Sequence, residues 1–566
     1  MSKFTVADPV PSDVVLELQA YSPFLQQLLY NRELTSAPAV VNFLQPDYET
    51  HTHSPWLLPD MEVAVARILL AIKKNEAIVI YSDYDCDGIP GGVVLHDLFK
   101  AIGYTNFTNH IPHRHFEGFG LHSAAVEKLA VVGTKLIITV DCGSTDVVAV
   151  EKANELGVDV IITDHHQPSV VLPQAIAVVN PQIGDSYPFK GICGAAVAYK
   201  LAQAMIERGN FVLVPGIEKW WLDLVGMATI ADMVPLVDEN RVFAHYGLMV
   251  LRKSRRPGLQ QLLRKQRTNI RFLTEDDIGF TIGPRINAAS RMGTPEDAFY
   301  MLASTDEAEA GVRVDHLEKL NNERKGIVAA MTKEAHKRFK TFDTLPAVIV
   351  LGNPSWRPSL VGLVASKLAE EHGRPAFVWG RDGNGVLKGS CRSGGAASVH
   401  AIMSAVPTAV FLEFGGHHFS GGFSVNEQAI YTLSDVLNQA FVDAGSTVAI
   451  DLVHTVDYTF TPNAITADIM RAQQQLAPFG IGNQKPLYLI TDLVPQDVAL
   501  FGKTKEHTKL LFKSSGIVNE AIAFFALPEQ FTVKPTVGQS VSLLAHLEEA
   551  FFMGRKQTRL RIVDVV

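Results

Sequence analysis

At 566 residues the chain is longer than a single hydrophobic core sustains, so three or four domains are expected. Its 47% hydrophobic and 19% charged residues exclude extended disorder, and no stretch approaches the ~20 apolar residues that span a bilayer. A net charge of −9 excludes a uniformly basic nucleic-acid binder but not acidic side chains gathered around cations beside a local basic groove.

The first residues, MSKFTVADPVPSD, lack the apolar core of a signal peptide, which points to a soluble cytoplasmic protein. From about Glu76 to Asn180 one plan repeats: a short apolar run, a loop rich in Gly and Asp, then a helix-patterned segment. The runs AIVIYSD, KLIITVD and VDVIITD are too short and too evenly apolar for amphipathic helices, so they predict parallel strands covered on both faces. Open sheets of this kind bind ligands beyond the carboxyl ends of their strands. Asp83, Asp141 and Asp164 end the three runs and should share one crevice, with Asp85 and Asp87 following in the loop.

Each aspartate belongs to a short motif. SDYDCDGIPGG places three carboxylates at alternate positions before glycines, which suits hard cations, although an acidic surface turn would read the same. TVDCGS supplies Asp141, and TDHHQ supplies Asp164, His165 and His166, where imidazole beside carboxylate favours Mn²⁺ or Zn²⁺ over Ca²⁺. TIADMVPLVDENR adds Asp232 at the end of an apolar run. Together these groups suffice for two divalent ions about 4 Å apart, the arrangement that promotes in-line displacement at phosphorus.

Further along, Leu251 to Arg271 holds Arg252, Lys253, Arg255, Arg256, Arg264, Lys265, Arg267 and Arg271 without an acidic residue, either a basic patch or a solvated helix face. Residues 295–340 alternate apolar and charged residues at helical spacing and predict a long connecting helix. A second α/β pattern starts at LPAVIVLG, and short β-rich runs after Asp451 fit a small β-barrel. Cys86, Cys142, Cys193 and Cys391 show no CxxC spacing and read as reduced thiols.

At this point the sequence resembles a known family. SDYDCDG, HIPHRHFEGFGL, DCGS, TDHH, VVNPQ, GICGAAVAYKL, LVGMATIADMVPLVDENR, GPRINAASRMG, WRPSLVGLVASKL, GSCRS, GGHHFSGG and LAPFGIGNQKP occur in the order found in the RecJ exonucleases of the DHH phosphoesterase superfamily. The resemblance implies an α/β fold: a parallel-sheet DHH domain, a long helix, a second α/β DHH-associated domain and an oligonucleotide-binding β-barrel. It divides the chain into an N-terminal extension, 1–60, packing on the catalytic domain; a catalytic domain, 61–294; a connecting helix, 295–340; a substrate-binding domain, 341–450; and the barrel, 451–566.

The resemblance further implies a 5′ to 3′ exonuclease specific for single-stranded DNA that acts in recombination and repair and releases 5′-mononucleotides. Its cofactors would be two divalent cations, Mn²⁺ before Mg²⁺. Metal ligation falls to Asp83, Asp85, Asp87, Asp141, His165 and Asp232, with His166 facing the scissile phosphate and Asp164 orienting the histidines. Arg114, Arg285, Asn287, Ser390, Arg392 and His417 fall in motifs the family sets around substrate phosphates. Single-strand-binding protein and a recombination helicase are the implied partners of a monomer.

Two other readings keep parts of this pattern: a phosphodiesterase of short oligoribonucleotides or cyclic dinucleotides, and an inactive scaffold in a replication assembly. The sequence departs from the family at Cys86, at Pro90 and in HRHFEGFG, where His113 and Phe116 bear on how the 5′ end is held. In the barrel, Lys503, Lys505, His507 and Lys509 with Phe501 and Phe512 are candidates for a base-stacking groove.

Overall fold

Beyond Ile78–Ser82, Leu136–Val140 and Asp159–Thr163, which pair in parallel as neighbours, the first sheet is completed by Phe107–His110 on one edge and Ala177–Val179 on the other. Every side chain of Ile78–Ser82 and Leu136–Val140 is buried, as a sheet covered on both faces requires. The computed structural model describes residues 3–339, 344–395, 397–446, 453–502, 504–552 and 555–566. Helix Gly88–Ala101 leads away from the first strand and packs against Gly194–Arg208.

Behind the crevice, helices Leu222–Ala231 and Asp238–Leu251 cross where Gly226 meets Gly247. A Cβ on Gly226 would lie 2.5 Å from the Cα of Gly247, so glycine is required for this close approach. The predicted connecting helix is two helices, Glu296–Ala303 and Glu307–Phe339. The break is local chemistry: Ser304 turns to extended backbone, and the Asp306 carboxylate accepts the Glu309 N–H at 2.7 Å to start the second helix. The long helix meets Pro358–His372, which lies on a five-stranded sheet ordered Phe411–Gly416, Ser420–Val425, Leu387–Arg392, Ala376–Arg381, Ile349–Gly352.

The last 110 or so residues supply a seven-stranded mixed sheet with Val541–Phe552 and Arg555–Val565 as its longest strands. The N-terminal extension corrects an expectation over its residues to His51, which share their core with this sheet, whereas Thr52 onward stays with the first sheet. Phe24, Leu25, Leu28 and Leu29 are buried in one cluster with Phe460, Tyr488 and Leu560, and Lys3–Val6 pairs in parallel with Val453–Val456. Contacts divide the described chain into two compact units: Thr52–Val234 with Asp238–Ile450, and Met1–His51 with Pro235–Val237 and Asp451–Val566.

All four cysteines are buried and unbridged. Among the described residues no helix is long and apolar enough to cross a membrane.

Candidate metal centre

Each predicted aspartate sits one step past its strand and continues the ladder. The N–H groups of Asp83, Asp141 and Asp164 donate to Val140, Thr163 and Val179 at 3.0, 2.9 and 3.2 Å. This shared register brings the side chains to one end of the sheet. Asp141 adopts φ 63°, a left-handed turn that a bulky residue resists. Gly194 stands beside it because a Cβ there would lie 2.6 Å from Asp141 Oδ1.

After the first strand the chain turns through Asp85, whose Oδ1 accepts the N–H of Asp87 at 2.8 Å. Asp87 in turn accepts the N–H groups of Gly194 and Ala195, both at 2.7 Å, so its carboxylate is seated on the first turn of helix Gly194–Arg208. Asp232 follows the last residue of helix Leu222–Ala231. His165 Nε2 lies 3.2 Å from Asp141, 3.6 Å from Asp87 and 3.8 Å from Asp232.

Ligand atoms converge in three overlapping groups, Asp83 with Asp85 and Asp141, Asp87 with His165 and Asp232, and Asp141 with both histidines. Asp164 plays a different part. It accepts the N–H of Ser144 at 2.9 Å and of His165 at 2.7 Å, and bonds His166 Nδ1 at 2.8 Å, which holds the turn carrying both histidines and fixes the His166 ring. Asn180 ties the same turn together through Ser144 and the His166 carbonyl.

The electrostatics of the cluster are those of a cation site. Burial, then repulsion from neighbouring carboxylates, pushes Asp83, Asp141 and Asp232 well above the usual carboxylate range. Burial also raises Asp87, against the pull of His165. For Asp164 the hydrogen bond and charge of His166 outweigh burial and hold it at about 2, while the same bond overcomes burial to raise His166 to about 9. Oδ1 of Asp83 and Oδ1 of Asp141 are buried without a hydrogen-bond partner. Buried carboxylate oxygens without a hydrogen bond, gathered beside an imidazole, fit divalent cations.

Arg114, Arg291, Phe119 and Tyr84 join Asp83, Asp85, Asp141, His166 and Asp232 around a pocket of about 250 Å³. Arg114 stacks over Tyr84 at 4.7 Å. Burial, then the charges of Arg114 and Arg324, lowers Arg291 to about 9; Arg392 is lowered likewise by burial, with Arg114 adding to it. Guanidinium groups this crowded gain from a phosphate between them.

Arg285 is buried on helix Gly283–Met292, bonding Glu318 Oε2 at 2.6 Å and Thr281 O at 2.7 Å with a further bond to Gln266, so its guanidinium joins helices. Asn287 is also a support, its Oδ1 accepting the Cys86 N–H at 2.9 Å. Ser390 and Arg392 share strand Leu387–Arg392 and hydrogen-bond each other at 3.0 Å. His417 is exposed in the turn between Phe411–Gly416 and Ser420–Val425, its N–H bonded to Ser420 O. Arg291 and Arg324 were not singled out from sequence, although Arg291 lies in GPRINAASRMG.

In the divergent loop, Phe116 faces solvent, whereas His115 Nε2 reaches the Arg291 carbonyl at 3.2 Å. The basic run from Leu251 is partly internal: Arg256 pairs with Asp97 and Asp223, Lys265 with Asp315, and Arg255 stacks on Trp220. In the last domain Phe512 is a core residue, so its place in a groove is corrected. Lys509 lies 3.9 Å from Glu520, Lys505 is exposed, and Lys503 is outside the described residues. Phe501 and His507 instead group with Phe524, Phe525 and the guanidinium of Arg561, which lies 4.4 Å from the Phe524 ring centre.

A parallel sheet with aspartates and paired histidines at its carboxyl edge, joined by a helix to a second α/β sheet, defines a DHH-type protein. Residues 77–229 match the DHH family N-terminal domain, 345–443 the DHHA1 domain and 456–564 the RecJ OB domain. The chain is 34% identical over 546 residues to a Bacillus subtilis protein described as single-stranded-DNA-specific exonuclease RecJ, covering 96% of this chain and 68% of that one. It is 30% identical over 488 residues to the Haemophilus influenzae protein of that name, covering 83% and 84%. The structure of Thermus thermophilus RecJ in complex with Mn²⁺ superposes with a TM-score of 0.82 at 27% identity, covering 100% of this chain and 79% of that one. The chain belongs to the RecJ family.

Proposed function

We propose that this chain is a metal-dependent exonuclease specific for single-stranded DNA, degrading it from the 5′ end to 5′-mononucleotides. The observation that carries the reading is the convergence of five aspartates and His165 beside a pocket that Arg114 and Arg291 share with four of those aspartates. Asp83, Asp85, Asp87, Asp141, His165 and Asp232 would hold two divalent cations, Mn²⁺ ahead of Mg²⁺ because an imidazole is in the set. When bound, such ions supply an activated water and offset charge on the attacking and leaving oxygens.

The chain's own groups do the rest. Arg114, Arg291 and Arg392 fix phosphate oxygens, which sets the scissile bond in line. His166, charged near neutral pH through its bond to Asp164, faces the pocket and donates a hydrogen bond toward the phosphate. Asp164 acts through the rings it orients, and Asp164→Asn should lower kcat roughly 10–100-fold with ssDNA affinity unchanged. A loss as large as that from removing a ligand would show Asp164 on the metal itself.

By this reading residues 61–294 carry the chemistry and two of the phosphate-binding arginines, 341–450 add Arg392, and 451–566 form a strand-binding surface. Polarity is tested with 5′-labelled and 3′-labelled single-stranded and duplex DNA in Mn²⁺. Early release of 5′ label from single strands alone is expected; early 3′ release or equal cutting of duplex would reject the proposal.

Metal affinity should fall with falling pH. The raised carboxylates of the metal-free site hold protons at pH values where an ordinary aspartate has lost them, and binding must expel those protons. Calorimetry in buffers of different ionisation enthalpy should therefore detect proton release. In the metal-free protein the same groups are protonated more readily folded than unfolded, so their contribution to stability is present at low pH and is lost as pH rises through their raised values. Denaturant midpoints that rise over that range without metal would contradict the assignment.

The aromatic group in the last domain is the surface on which bases would stack. Phe524→Ala should weaken binding to long single strands by about 1–3 kcal/mol while cleavage of short ones is unaffected. Equal affinity of parent and variant for a long oligonucleotide would remove that surface from consideration.

A further inference from the structure

A second group of metal-ligating side chains lies outside the site described above. Helix Glu307–Phe339 ends close to the end of helix Pro358–His372, and His336 from the first meets Glu371 and His372 from the second. One ligand atom from each lies within 4.8 Å of the other two. His336 Nε2 and Glu371 Oε2 are 2.7 Å apart.

A hydrogen bond accounts for the contact between His336 and Glu371. It does not account for His372, whose Nε2 is buried with no hydrogen-bond partner. Both helices present their carboxyl-terminal turns here, where unpaired carbonyls and the helix dipoles favour positive charge. Lys367 approaches the other Glu371 oxygen at 3.8 Å, a loose contact that leaves Oε2 available.

We propose that His336, Glu371 and His372 form a separate Zn²⁺ site that fastens the end of the long helix to the helix of the second α/β sheet. Two imidazoles and one carboxylate suit Zn²⁺ and not Mg²⁺ or Ca²⁺. Tetrahedral Zn²⁺, at ~2.0–2.2 Å from each ligand, holds its ligands roughly 3.4 Å apart, so His336 and Glu371 need separate by well under 1 Å. Water completes the set. The ion has a mechanical part here, distinct from the cations at the strand ends.

The test uses the full chain carrying Asp87→Asn and Asp141→Asn, which weakens the first cluster, with and without His336→Gln and His372→Gln. Zn²⁺ is titrated into metal-stripped protein against a chromophoric chelator. The histidine substitutions should remove one equivalent of bound Zn²⁺ and abolish most of the rise in Tm that Zn²⁺ produces. In an otherwise unmodified chain they should leave Mn²⁺-supported cleavage of single strands intact, which also reports folding. Should the double substitution unfold the chain, His336→Gln alone should weaken that equivalent at least tenfold. Equal Zn²⁺ uptake with and without the substitutions in folded protein overturns the proposal. That result would leave the exonuclease reading untouched, since the latter is tested separately, by the polarity assay and by strand-end substitutions.

Discussion

Asp141→Asn is expected to lower kcat on single-stranded DNA by on the order of 10³-fold or more. Asp141 contributes an oxygen to two of the three ligand groups, and its buried Oδ1 lies 3.2 Å from His165 Nε2 without a hydrogen bond. An amide at that position keeps the shape but removes the charge that a cation needs, and its NH₂ would turn a donor toward the ion. The left-handed turn at residue 141 tolerates asparagine well, so the fold should survive. Affinity should hardly change, because arginines and the aromatic surface of the last domain supply it. The measurement is single-turnover cleavage alongside fluorescence anisotropy with a labelled oligonucleotide. Cleavage within tenfold of the parent would end the metal-site account, and a parallel collapse of binding would mean that the aspartates also position the strand.

The second large effect is on stability. Lys200 and Glu239 are both wholly buried, with Nζ 2.8 Å from Oε2. Lys200 also donates to the His53 carbonyl at 2.5 Å, while Tyr187 donates to Glu239 and the His53 N–H reaches it at 3.2 Å. Burial drives the Lys200 amine below its ordinary range even against the attraction of Glu239. Lys200→Met strands a carboxylate in the interior and should cost about 3–5 kcal/mol. Lys200→Met with Glu239→Met should recover much of that loss, because the desolvation of both charges disappears together. Urea unfolding of the four proteins in the cycle measures this. A single-mutant loss below about 1 kcal/mol would mean that water or another cation reaches Glu239.

How much of this was legible in advance follows from what each signal depends on. Asp83, Asp141 and Asp164 could be placed together because a parallel sheet has one functional edge and each ended an apolar run. Residues that need a rotation about a helix to be placed were harder. Arg285 and Arg291 stand six positions apart on helix Gly283–Met292, hence about 120° apart around its axis. One therefore faces Glu318 and the other the pocket, which a motif alone does not distinguish.

Phe512 shows the same difficulty in a strand. Along His507–Phe512, burial alternates so that Thr508, Leu510 and Phe512 point inward, and aromatic character alone had placed Phe512 in the groove. Phe524, just past strand Val518–Ala523, was missed because its partners, Phe501, His507 and Arg561, come from three separate strands. The N-terminal extension gave no sign of its partner either, since the pairing of Lys3–Val6 with Val453–Val456 joins segments at opposite ends of the chain.

The paired glycines behind the crevice reach further than packing. Asp232 caps the helix that Gly226 seats against Gly247, so the depth of that seat fixes where the final carboxylate stands relative to the sheet. A methyl group wedged there would act like a shim under one leg of a tripod: the remaining ligands stay put while one is tilted out of reach. The position of that carboxylate is in this sense set from the rear of the domain, by two residues that belong to none of the ligand groups.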